Sequence, residues 1–147
     1  MEENVSTSTQ PNPNAKRILI IEDEYFITEL YVRALTKAGY QVSLAVDGKE
    51  GLNKALSNEF DIILLDIMVP TITGTEILER IREQNKSLKA KIIITTNLEQ
   101  SEETKAKIES QADGYIIKAE ITPKQLVEFL DELEFGNSTP KPTESTN

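Results

Sequence analysis

Five short apolar runs, separated by longer amphipathic segments, restrict this chain to very few folds. The runs are RILII (17–21), QVSLAV (41–46), DIILL (61–65), KIIIT (91–95) and GYIIK (114–118). Near-continuous isoleucine and leucine is the pattern of strands covered on both faces of a parallel sheet. Between them, apolar side chains recur at helical spacing. From 24 to 38 these are Ile27, Leu30, Tyr31, Ala34, Leu35 and Ala38, with Gly39 as a C-terminal cap. A short helix runs through Leu52, Ala55 and Leu56, and the next uses Ile77, Leu78 and Ile81. Residues 99–111 are helical by propensity but have a thin apolar face. The last helix has the clearest start: Thr122 as N-cap, Pro123 at the first helical position and Gln125 completing a capping box. Its stripe is Leu126, Val127, Leu130 and Leu133. The whole reads as (βα) repeated five times, an α/β fold with a doubly wound five-stranded parallel sheet.

The flanks set the domain limits. Residues 1–15 and 136–147 carry almost no apolar side chains and are expected to be disordered tails around one folded unit, 16–135. The net charge of −9 argues against nucleic acid and anionic membrane as partners. No apolar run approaches the roughly 20 residues needed to span a bilayer, and the acidic N-terminus lacks an export signal. A cytoplasmic protein is therefore expected. The chain has neither cysteine nor histidine, which excludes disulfides, thiolate metal sites, thiol catalysis and any imidazole base.

In such sheets the ligand-binding edge lies beyond the carboxyl ends of the strands. The first strand ends in Glu22 and Asp23, the third in Asp66, the fourth in Thr95 and Thr96, the fifth in Lys118. Taken singly, Asp66 reads as well as a helix cap, Thr96 as a loop residue and Lys118 as a solvated charge. Taken together, they converge on one edge. Carboxylates without imidazole or thiolate suit a hard divalent cation such as Mg²⁺. A carboxylate can also attack phosphorus and form an aspartyl phosphate, whose charge needs a metal, an ammonium and a hydroxyl donor. All of these groups are present.

The ordered set IIEDE, LLDIMVPTITG, IIITT and GYIIK resembles the receiver domain of bacterial two-component response regulators, over nearly all of 16–135. That resemblance implies a flavodoxin-like sheet of strand order 2-1-3-4-5. It implies Asp66 as phosphoacceptor, with Glu22, Asp23, Asp66 and the Met68 backbone carbonyl around Mg²⁺. Thr96 would be the switch hydroxyl, Lys118 the phosphoryl charge partner and Tyr115 the aromatic switch. Partners would be a sensor histidine kinase or histidine phosphotransfer protein, and a downstream protein target reached through the fourth helix, fifth strand and fifth helix. No DNA-binding or catalytic unit is expected after 135, so the resemblance is to a stand-alone, chemotaxis-regulator-like module, and no enzyme beyond its own phosphorylation and dephosphorylation.

Three positions depart from the family pattern. Glu22 stands where Asp is usual and is expected to reach the metal through water. Asn97 follows the switch hydroxyl where Ala or Gly is usual. Ala119 replaces a proline, and because a cis bond without proline costs about 3–4 kcal/mol, a trans Lys118–Ala119 bond is expected. Ala119 and Asn97 lend a little weight to a phosphate-independent pseudo-receiver. A haloacid-dehalogenase-type phosphohydrolase would use similar groups, but its nucleophile lies on the first strand in an Asp-x-Asp pattern. Here Tyr25, two places after Asp23, stands where the second Asp of that pattern would be.

Overall fold

The computed structural model describes residues 14–85, 87–97 and 99–133. The expected tails lie outside them, except Asn14 and Ala15, as does the expected boundary at Phe135. The elements are β1 (Arg17–Ile21), α1 (Tyr25–Lys37), β2 (Gln41–Ala45), α2 (Gly48–Leu56), β3 (Ile62–Asp66), α3 (Gly74–Gln84), β4 (Lys91–Thr96), α4 (Glu102–Gln111), β5 (Gly114–Ile117) and α5 (Pro123–Asp131). A single 3-10 turn, Lys118–Glu120, follows β5. All strand pairs are parallel, in the order β2-β1-β3-β4-β5. No helix among the described residues is long and apolar enough to cross a membrane.

Strand alternation divides the core in two. Leu19, Ile21, Ile63, Leu65, Ile92 and Ile94 pack on one face with α2, α3 and α4. Ile18, Ile20, Ile62, Leu64, Ile93 and Ile116 pack on the other, with Tyr31 and Leu35 of α1 and Leu126 and Leu130 of α5. β1, β3 and β4 are buried on both faces, which is why their sequences carry no alternation of polarity.

The helices are held unequally. α3 buries Ile77, Leu78 and Ile81, whereas α4 buries only Ile108. At roughly 2 kcal/mol for each such side chain, α4 has about a third of the anchorage of α3. The thin face expected for α4 is thus present. α5 begins with the expected capping box, the Thr122 hydroxyl accepting from the Gln125 amide at 3.0 Å. Gly39 ends α1 with φ +102°, a conformation that favours glycine.

The expected stripe of α1 is corrected at two positions. Leu30 and Ala38 are exposed, and the buried residues are Thr28, Tyr31 and Leu35. The inward line is set by the 28–31–35 spacing, and Leu30 falls one residue, about 100°, off it. β2 stops at Ala45, leaving Val46 exposed. β3 extends to include Asp66, which pairs with Thr95, and β5 stops at Ile117, so that Lys118 opens the turn.

Candidate functional site

The carboxyl ends of β1, β3 and β5 bring Glu22, Asp66 and Lys118 together in a nearly dry position. The three residues are 3, 3 and 6% exposed. Backbone bonds fix the first two: the Glu22 amide continues the ladder to the Ala45 carbonyl at 3.0 Å, and the Ile67 amide donates to the Thr95 carbonyl at 3.1 Å. The Met68 amide then donates to Asp66 Oδ1 at 3.2 Å, leaving Oδ2 toward Lys118.

Lys118 Nζ lies 2.8 Å from Glu22 Oε1, 3.3 Å from Glu24 Oε1 and 3.4 Å from Asp66 Oδ2. Every peptide bond among the described residues is trans, Lys118–Ala119 included, and the ammonium still reaches the carboxylates. A buried ammonium needs such partners, since an unpaired charge there costs several kcal/mol.

Three carboxylates around one ammonium leave an excess of negative charge. Burial drives the Glu22 carboxyl up to about 7, reinforced by the charge of Asp66 and opposed by the hydrogen bond from Lys118. Burial alone would lower Lys118, but its hydrogen bond to Glu22 and the nearby carboxylates outweigh this and raise it. Both directions hold together. When Glu22 takes a proton, Asp66 and Glu24 still hold the ammonium.

Asp23 is exposed beside this cluster. Carboxylate oxygens of Glu22, Asp23 and Asp66 all lie within 4.8 Å of one another. An all-oxygen, carboxylate donor set of this kind fits a hard divalent cation. Met68 has its side chain 73% exposed at the rim, two residues beyond Asp66.

The remaining expected residues sit farther along the edge. Thr96 is 1% exposed and ends β4, one residue past the partner of Asp66. Its hydroxyl accepts from Gln100 Nε2 at 3.2 Å. Tyr115 belongs to β5, opposite Ile94, and packs on the α4 side of the sheet. Its hydroxyl is buried with no hydrogen-bond partner among the described residues. Lys105 of α4 lies 5.6 Å from the centre of its ring and pairs with Glu99 at 3.3 Å.

Glu24, Gln100 and Lys105 are contacts of the site that sequence reading missed. Glu24 had a signal, as the third acid of EDE. It stands at the N-cap of α1 but makes no capping bond, its carboxylate being turned to Lys118 instead. Its amide donates to Glu22 Oε2 at 3.1 Å, so one residue orients both members of the closest ion pair.

A family model described as "Response regulator receiver domain" matches residues 18–131. The response regulator ArlR of Staphylococcus aureus is 40% identical over 102 residues, covering 69% of this chain and 45% of that protein. This chain thus spans about half the length of the relatives it matches. Among solved structures, the chemotaxis protein CheY4 of Vibrio cholerae superposes with TM-score 0.70 at 31% identity, covering 82% of this chain and 99% of that one. A CheY-like receiver domain protein from Methanospirillum hungatei gives TM-score 0.71 at 33% identity, with 81% and 93% covered.

Proposed function

Since this chain belongs to the response regulator receiver domain family, we propose that it takes a phosphoryl group on Asp66 from a histidine kinase or histidine phosphotransfer protein. The observation that carries this reading is the Asp66 carboxylate standing between an acidic cluster and a buried ammonium. An Asp66 oxygen attacks phosphorus and the phosphorus–nitrogen bond of the donor phosphohistidine breaks. The product is an aspartyl phosphate, and the freed imidazole takes up a proton.

Mg²⁺ would be held by Asp23, Asp66 and the Met68 carbonyl, with Glu22 reaching it through water. When bound, it supplies charge neutralisation for the transferring phosphoryl oxygens. The chain's own groups do the rest. Lys118 is poised on Asp66 Oδ2 and follows the incoming charge, while Glu22 and Glu24 keep its ammonium ionised. The Thr96 hydroxyl exchanges its bond with Gln100 for one to a phosphoryl oxygen. Tyr115, whose hydroxyl has no partner among the described residues, then changes packing against α4. The two packings differ in free energy because the phosphoryl group contacts one of them better. The face of α4, β5 and α5 carries the signal to a protein target. No catalysis is proposed beyond the domain's own phosphorylation and dephosphorylation.

Incubation with Mg²⁺ and acetyl phosphate, followed by intact mass and hydroxylamine cleavage, tests this reading. The wild type should gain one base-labile phosphoryl group. Asp66→Asn should abolish the gain and Asp23→Ala should slow it. Full-rate labelling of Asp66→Asn would overturn the assignment.

A further inference from the structure

β5, the turn after it and α5 border an open groove of about 480 Å³ that plays no part in the phosphoryl chemistry. Half-buried Ile117, Ile121 and Phe129 supply its apolar surface, and Glu120, Glu128 and Glu132 its charged one. Gly114 makes room for the aromatic ring, since a Cβ there would stand 3.3 Å from Phe129 Cζ. Among the described residues, no lysine or arginine lines the groove. The cation of α5, Lys124, lines a separate cleft with Ala34 and Lys37 of α1.

The carboxylates of this groove are arranged at the expense of their own helix. Glu128 and Glu132 are like charges four residues apart, a spacing that destabilises a helix. They also lie toward the carboxyl end of α5, whose last turn has no basic residue, so the helix dipole opposes them. Elsewhere the same spacing is used the other way: Glu29, Glu50 and Glu76 each pair with a basic residue four positions on. Glu120, Glu128 and Glu132 have no ion-pair partner among the described residues. Unpaired acids around an apolar floor are the complement of a cationic ligand with a large apolar side chain.

We propose that the β5–α5 groove docks a short basic segment of a protein partner. One large apolar side chain of that segment rests on Ile117, Ile121 and Phe129, and its lysines or arginines meet Glu120, Glu128 and Glu132. The inference deepens the reading of α4, β5 and α5 as an output face. It rests on that reading for the phosphorylation dependence alone.

The test uses the full chain labelled with ¹⁵N and a fluorescein-labelled amphipathic peptide of lysine, leucine and one tryptophan, roughly twelve residues long. A matching peptide with glutamate in place of lysine is the control. Amide shifts on titration should cluster at residues 115–132. Binding should weaken at least about tenfold in Glu128→Lys/Glu132→Lys, and also on raising the salt from low to high concentration. The remote pair Glu29→Lys/Glu83→Lys, with the same change in net charge, should leave it within about twofold. Shifts centred elsewhere, equal weakening by the remote pair, or equal binding of the glutamate peptide would each overturn the proposal.

Intact mass, recorded in parallel, separates the two readings. A protein that takes a phosphoryl group on Asp66 but binds the peptide in neither state refutes the docking and spares the phosphoacceptor. A protein that binds in the groove but is never phosphorylated does the reverse.

Discussion

Glu22 links the stability of the metal-free domain to pH, and the sign is opposite to that of an ordinary salt-bridged carboxylate. Its carboxyl titrates at 4.5 in an unfolded chain and is pushed up to about 7 by burial in the fold. Between those values the folded protein holds a proton that the unfolded chain has released. Stability from this group is therefore fully present below pH 4.5 and is lost as pH rises through about 7. At about 1.4 kcal/mol for each pH unit of that gap, the loss is about 3–4 kcal/mol. The residue is 3% exposed, so solvent screening removes little of this. The assay is urea unfolding followed by circular dichroism in EDTA, across the window, for wild type and Glu22→Gln. The glutamine is neutral at every pH, so the other titrating groups largely cancel in the difference. Wild-type stability minus that of the variant should fall by about 3–4 kcal/mol from low to high pH. Saturating Mg²⁺ should flatten the slope, because a metal competes with the proton for the same carboxylates. A difference constant to within about 0.5 kcal/mol, or one growing with pH, would refute the reasoning.

Three further substitutions test the packing around the site. Gly74 opens α3 against the chain after Asp66, and a Cβ there would press on the Asp66 carbonyl oxygen and lie 2.7 Å from Ile67 Cα. Backbone cannot yield as a side chain does, so Gly74→Ala should lower stability by about 2–3 kcal/mol in thermal unfolding and slow the labelling of Asp66. Tyr115→Phe removes a buried hydroxyl that has no partner among the described residues. It should raise the stability of the unphosphorylated protein by about 1 kcal/mol in urea titration, and a loss would show that the hydroxyl is satisfied. Thr96→Ala should still accept phosphate, but the amide shifts of residues 99–112 should no longer respond to it. An unchanged response would break the proposed link from Thr96 to α4.

Much of this was legible in the sequence because it is local. Runs such as DIILL and KIIIT have no polar alternation, which only doubly covered parallel strands tolerate. The Thr122–Gln125 capping box is fixed by residues three apart. Asp66 and Lys118 could be placed on one edge because every strand of a parallel sheet ends on the same side. What was hidden depends on side-chain direction between distant elements. Lys118 comes nearest to Glu22, 96 residues away, while Asp66 is the farthest of its three partners. No spacing rule reveals that Glu24 abandons its cap for the same ammonium. Thr28 is absent from the expected stripe of α1, yet it lies inward while Leu30 faces solvent.

The order of the strands has a mechanical consequence. β1 and β3 are neighbours in the middle of the sheet, whereas β5 is four residues long and bonded on one side only. An edge strand is the part of a sheet that opens most readily. Glu22 and Asp66 of the site therefore follow central strands, and its cation follows an edge strand. Separation of β5 from β4 would leave Glu22, Glu24 and Asp66 facing one another without their counter-ion. Where neither a proton on Glu22 nor a metal ion relieves that repulsion, the return of Lys118 does, so the ammonium favours the closed edge of the sheet.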